Sequence, residues 1–215
     1  MKRLIVLGIA LIAMIAATGC KEIPEEPHAR GKALYASCIP CHMENGQGNQ
    51  KIHAPAIAGM EQWYLQTQLM KYKKGWRGMH PDDLEGRKMR PMSLTLPTDR
   101  DVEAVALHIS SLPQNKPAPT QVAQTGDSTR GQAYFAVCTT CHGTDGAGNQ
   151  ALSAPSLTHL NDWYVLNSLK KFKHKIRGSD PRDAVAAQMI GMAGVLPNEQ
   201  AMKDVIAYIG TLSNK

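Results

Sequence analysis

Aromatic side chains are scarce in this 215-residue chain: Phe, Trp and Tyr together make up 5% of it. Its length suits two small domains, each under about one hundred residues, and an apolar core of that size is marginal without help. Strand patterning is missing as well. No segment alternates apolar and polar residues as a half-buried strand requires, which argues against a sheet-based fold. Lys and Arg outnumber Asp and Glu by 24 to 18, a formal charge of +6. That surplus is mild, and no Lys/Arg-rich run is interleaved with aromatics, so a nucleic-acid partner is excluded. The apolar run Leu4 to Ala17 is too short and wrongly flanked for an ordinary membrane span. Cysteine is sparse too, with five in the chain.

Four of those five are ordered. Cys38-Ile39-Pro40-Cys41-His42 and Cys138-Thr139-Thr140-Cys141-His142 repeat Cys-x-x-Cys-His in two places. Two thiols three positions apart can each form a thioether to one vinyl group of a single porphyrin, and the His that follows then lies beneath the iron. The pattern reads as the attachment signature of c-type heme, once in each half. Paired CxxC sites for structural zinc lie roughly 15–20 residues apart, far closer than these. A thioredoxin-like dithiol opens a helix in a βαβ pattern, which the chain lacks. A plain disulfide would not call for His after both pairs. A covalently held porphyrin is also the large apolar body that two aromatic-poor cores need.

The repeat runs past the motif without a gap. Gly31, Ala33 and Tyr35 are answered by Gly131, Ala133 and Phe135, and Gly46, Gly48, Asn49 and Gln50 by Gly146, Gly148, Asn149 and Gln150. Ala54-Pro55, Trp63-Tyr64, Arg77-Gly78, Pro81, Met89, Met92 and Leu96-Pro97 all return at the same offset. Two copies of one domain follow. The expected organisation is a first domain at 28–112, a semi-extended linker rich in Pro, Gln and Thr at 113–127, and a second domain at 128–215. The fold class is all-α. Helices are predicted over Ala29–Ser37 and Thr129–Val137, Glu61–Lys73 and Asp162–Lys173, and Asp99–Leu112 and Glu199–Leu212. Thr98 with Asp101 three residues on gives a capping-box start, and Val102, Val105, Ala106 and Ile109 mark an apolar face. The Gly- and Pro-rich stretches between helices are expected as loops wrapping the heme.

At the amino terminus, Lys2 and Arg3 precede the apolar run, and residues 1–19 read as an export leader. The segment Ala17-Thr18-Gly19-Cys20 resembles the lipobox of a bacterial lipoprotein, with Ala17 where Leu is more usual. Cys20 is the one Cys outside the heme motifs, and an odd Cys in an exported chain calls for an explanation. The resemblance implies lipidation of Cys20, a spacer at 20–27, and membrane anchoring on the periplasmic side of a bacterial envelope. Ordinary cleavage with Cys20 lost or free is the alternative. Loss of the leader removes Lys2 and Arg3 and lowers the formal charge from +6 to +4.

What fills the second face of each iron separates an electron carrier from an enzyme. Met89 and Met92, and Met189 and Met192, are the candidates, recurring shortly before the last helix in what reads as a loop. Met is more often a gap-filler than a ligand. His53, His80, His159 and His174 do not recur, which argues against a shared pair of His ligands. Trp63, Tyr64, Trp163 and Tyr164 suit either heme propionates or helix packing. Lys71, Lys73, Lys74 and Arg77, with Lys170, Lys171, Lys173, Lys175 and Arg177, suit either the steering of an acidic partner or a solvated helix face.

Over both domains, on these CxxCH, Met and repeat positions, the chain resembles the class I c-type cytochromes, and its tandem form resembles diheme cytochrome c4. The resemblance implies that Met89 and Met189, seven residues before Leu96 and Leu196, are the axial ligands opposite His42 and His142. It implies that the carbonyls of Pro55 and Pro155 accept a hydrogen bond from those His rings. It also implies an aromatic on the last helix, a place taken by Tyr208 but by His108 in the first copy. With both faces of each iron filled, the expected function is one-electron transfer, not enzymatic catalysis. The expected partners are a quinol-oxidising complex as donor and a terminal oxidase or reductase as acceptor. The alternatives are a peroxidase-type diheme enzyme and a heme c subunit of a larger oxidoreductase complex.

Overall fold

The computed structural model describes residues 23–114 and 116–212. The leader at 1–19 and Cys20 lie outside them. The first half runs α1 (Pro27–Tyr35), α2 (Ile39–His42), a 3₁₀ turn (Gln50–Ile52), α3 (Gln62–Lys73), α4 (Leu84–Leu94) and α5 (Asp99–Ser111). A single turn, α6 (Gln121–Gln124), follows. The second half repeats the order with α7 (Ser128–Phe135), α8 (Thr139–His142), a 3₁₀ turn (Gln150–Leu152), α9 (Asp162–Lys173), α10 (Ala184–Gly194) and α11 (Glu199–Leu212). Among the described residues no strand forms. Extended pairing is limited to the single bridges Asn49–Ala54 and Asn149–Ala154.

The centre of each half is the crossing of its first and last long helices. The crossing is so close that a Cβ on Gly31 would sit 1.9 Å from the carbonyl oxygen of Ala104, and one on Gly131 1.9 Å from that of Asp204. Only glycine fits there, which explains the recurrence of this pair. The α5 stripe of Val102, Val105, Ala106 and Ile109 is buried with Tyr35, Leu65 and Leu96. Phe135, Val165, Leu166, Leu196, Met202, Val205, Ile206 and Ile209 form the equivalent core. The Thr98–Asp101 capping box is present. Asp101 is buried and also takes Arg30 at 2.6 Å, as Asp204 takes Arg130 at 2.9 Å.

Four expectations change. The segments carrying Met89 and Met189 are helices α4 and α10, not loops. Pro91 inside α4 and Gly191 and Gly194 in α10 hide them, since both residue types read as breakers. Asp83 and Asp183 start these helices, their Oδ1 atoms accepting from the backbone N–H of Gly86 and Ala186 at 3.1 Å. Within 113–127, α6 is tied down: Asp162 accepts from the backbone N–H groups of Thr120 and Ala123 at 2.6 and 3.1 Å. At the end of 20–27, Glu26 caps α1 and Glu25 pairs with Arg100 at 2.6 Å, so this stretch is part of the fold as well as a spacer.

The fourth change concerns the basic clusters, which turn inward where the halves meet. Lys71 pairs with Asp183 at 2.7 Å, and Lys171 with Asp83 at 2.5 Å and with Glu85. Lys73 and Lys173 donate to the carbonyls of Leu96 and Leu196. Two further bonds cross the seam: the Ala56 N–H donates to Asn161 at 2.7 Å, and the Ser156 N–H to Glu61 at 2.8 Å. Lys71 and Lys171 are thus spent on the other half and Lys73 and Lys173 on their own, while Lys74 and Lys175 stay exposed.

Candidate cofactor sites

One large apolar cavity opens in each half. The first is lined by Cys38, Cys41, His42, Pro55, Met89 and Met92, the second by Cys138, Cys141, His142, Pro155, Met189 and Met192. The structure therefore brings every sequence-predicted attachment and axial residue of each half to one cavity.

Local folding sets their order. Cys38 and Cys138 start the single turns α2 and α8, which carry the second Cys and the His on the next residues. The His42 and His142 rings are buried, with Nδ1 at 2.8 Å from the carbonyl oxygens of Pro55 and Pro155. A carbonyl can only accept, so Nδ1 carries the proton and Nε2 keeps its lone pair. Burial lowers both His below the usual imidazole value, against the rise the Pro bond gives, so the rings are neutral, as a metal requires. Burial pushes the Cys138 thiol up to about 11 and raises that of Cys38. A redox dithiol needs the opposite, a lowered thiol.

On α4 and α10 the two Met of each half stand three residues apart on the cavity side. Met89 and Met189 are half-buried, and Met189 packs against Phe172, Ala186 and Ala193. Met92 and Met192 are 38% and 40% exposed, at the rim.

The wall between the cavities is shared. Tyr64, Gln68, Tyr164 and Ser168 line both. Arg177 donates to the Tyr64 hydroxyl at 3.1 Å, and Arg77 to the Tyr164 hydroxyl at 3.4 Å and to Gln68 at 2.8 Å. Arg77 Nε is buried without a hydrogen-bond partner. Burial opposes ionisation of Tyr164, yet Arg77 and Arg177 outweigh it and bring the hydroxyl down to about 7. Two guanidiniums in an apolar wall with an orphaned N–H want anions there. A porphyrin with two vinyl carbons for the thiols, a metal for His Nε2 and carboxylates for the Arg pair fits these residues.

The structure divides the remaining candidates. Tyr64 and Tyr164 belong to the wall, whereas Trp63 and Trp163 pack beside them, ring centroids 5.7 and 6.2 Å away. Of the four His that do not recur, His53 alone lines a cavity, edge-on to Trp163 at 5.9 Å. His108 lines neither. It is buried between α1 and α5, 5.2 Å from the Tyr35 ring and 5.3 Å from that of His28. Gln68, Ser168 and the inward role of Arg77 and Arg177 are invisible from the sequence, although the recurrence of Arg-Gly was a signal that solvated Lys would not give.

A family model, cytochrome c, matches residues 28–113 and 128–213. The thiosulfate dehydrogenase electron acceptor of Thiomonas intermedia (strain K12) is 31% identical over 157 residues, 68% of this chain and 67% of that one. Cytochrome c4 of Stutzerimonas stutzeri is 28% identical over 202 residues, 89% and 91% of the two chains. The crystal structure of reduced recombinant cytochrome c4 from Pseudomonas stutzeri superposes with a TM-score of 0.66 at 26% identity, covering 85% of this chain and 96% of that one.

Proposed function

The chain belongs to the cytochrome c family as a tandem diheme electron carrier resembling cytochrome c4, and from that premise we propose how its residues hold two heme c groups and where it works. Cys38 and Cys41 form the thioethers of the first half and Cys138 and Cys141 those of the second. His42 and Met89, and His142 and Met189, would ligate the two irons. When bound, each heme supplies one-electron oxidation and reduction.

The chain's own residues set the terms of that chemistry. Pro55 and Pro155 hold the His rings in the ligating tautomer and orientation. The Met thioethers favour the reduced metal and raise its potential. With a His and a Met of each half committed to holding the heme, the residues present would leave no open ligand position for substrate, which supports a carrier and not a peroxidase-type enzyme. Arg77 and Arg177, each reaching a Tyr of the other half, compensate propionate charge and keep the two sites back to back across one thin wall.

The observation that carries the proposal is the repeated pair of buried His rings, each donating to a Pro carbonyl beside a cavity whose helix presents a half-buried Met. The test is the absorption spectrum of the oxidised holoprotein, with and without peroxide. We expect a Met–iron charge-transfer band from both hemes and no peroxide turnover. Met89→Ala and Met189→Ala should each remove half of the band. A high-spin heme, peroxide consumption, or loss of the band on replacing Met92 or Met192 would overturn the assignment.

The domain limits follow the repeat, at 28–112 and 128–215 about a 113–127 connection. The leader at 1–19 and lipidated Cys20 tether the carrier to a membrane on the periplasmic side. Among the described residues no helix is long and apolar enough to cross a membrane. Electrons arrive from a quinol-oxidising complex or a dehydrogenase and leave to a terminal oxidase or reductase. Cys20→Ala should release the protein from membranes into the soluble fraction, and retention would count against the anchor.

A further inference from the structure

The two cavity mouths sit on equivalent elements yet carry different chemistry. Ser37, Ile52, Lys88 and Met92 line the first, and Val137, Leu152, Gln188 and Met192 take their places at the second. Lys51, beside Ile52, answers to Ala151, and Arg87, behind Lys88 on α4, to Ala187. Ile52 and Met92 are 41% and 38% exposed, so the first mouth has an apolar centre. Lys51 and Lys88 are exposed at its edge and make no ion pair among the described residues. Glu85, the one carboxylate lining this cavity, is already held by Lys171. The cationic rim is therefore uncompensated on one mouth and missing from the other.

We propose that the first mouth is the docking face for a redox protein with an acidic surface, Ile52 and Met92 forming the dry centre and Lys51 and Lys88 the charged rim. This rests on the electron-carrier reading above. Lys71, Lys73, Lys171 and Lys173 are turned inward, to Asp183, Leu96, Asp83 and Leu196, whereas Lys51 and Lys88 flank an exposed apolar centre with no counter-ion among the described residues and are set for an external anion. Rim charges act mainly on encounter rate and its salt dependence, and a matched field raises on-rates by about 10- to 1,000-fold. Across the face a single electron passes between the first-half iron and the partner, with no bond or proton exchanged.

The test uses the holoprotein with poly-L-glutamate as the acidic probe and hexacyanoferrate(III) as the electron acceptor. In a nuclear magnetic resonance titration at low salt, amide shifts should move at Lys51, Ile52 and Lys88 and stay fixed at Leu152 and Gln188. The pair Lys51→Ala with Lys88→Gln, which copies the second half onto the first, should abolish those shifts. It should also slow reduction of hexacyanoferrate(III) by one heme about tenfold at low salt, with the difference vanishing near 1 M salt, where the Debye length is about 3 Å. The reciprocal pair Ala151→Lys with Gln188→Lys should bring shifts to the second mouth. Equal shifts at both mouths, or an unaffected Lys51→Ala, Lys88→Gln protein, would overturn the docking face alone. Failure of the reduced holoprotein to pass one electron per heme to hexacyanoferrate(III) would overturn the carrier reading itself.

Discussion

Gly31 and Gly131 show how much a single residue decides. The carbonyls of Ala104 and Asp204 stand where a side chain would begin, so α1 and α5 cross at backbone contact. Gly31→Ala should cost at least about 2 kcal/mol, because a packed core cannot give way by the required ångström. For a half of this size that lowers the first thermal transition of the holoprotein by roughly 10 °C; an unchanged transition would mean the helices separate without cost. At this scale the site was largely legible. Cys38, Cys41 and His42 are read from spacing because covalent attachment tolerates no other, and Gly31 is read from its recurrence. Arg77 was not. Its burial depends on Tyr164 and on the wall of the other half, contacts across 87 residues that no local pattern encodes.

Helices α4 and α10 place both Met candidates over their cavities, and they are the elements the sequence concealed. Pro91 removes one backbone donor inside α4, and α10 is nearly all apolar, so neither shows a helical stripe. What forms them is tertiary: buried Asp83 and Asp183 cap them, and the other half's Lys fixes each cap. The last helices, by contrast, show a capping box and an apolar face and were legible almost to the residue. Between α1 and α5 the first half carries His108 where the second has Tyr208. Burial first, and then the neighbouring His28, holds His108 below the ordinary imidazole value, and its Nδ1 has no hydrogen-bond partner. The unfolded chain, with a His value near about 6.5, therefore binds the proton more readily than the folded one. Stability of the first half is complete above that value and falls as pH drops below it. Thermal scans from pH 7.5 to 5 should show the first transition moving down. His108→Tyr, the residue of the other half, should remove that movement, while a shift that survives the substitution would place the titrating group elsewhere.

At the scale of the molecule, two copies of one domain are joined less by residues 113–127 than by reciprocal use of the same side chains. Lys71 and Asp183 are each at most 10% exposed, as is Asp83, with Lys171 at 12%. A buried pair contributes little net stability over an apolar replacement, but removing one partner strands a charge and costs about 3–5 kcal/mol. Asp183 is doubly exposed to that cost, since it also caps α10. Lys71→Met should therefore loosen the seam and the helix carrying Met189 together. The expected signature is a weaker Met–iron band from the second heme although the substitution lies in the first half. Loss of coupling should also move the thermal transitions of the two halves further apart. The charge exchange Lys71→Asp with Asp183→Lys restores a pair but not the cap, because Lys cannot accept from the Ala186 N–H. It should thus bring the two transitions back to their original spacing without regaining the full band. If Lys71→Met leaves the band of the second heme intact, the seam holds the halves together without positioning their ligands, and the two sites are independent.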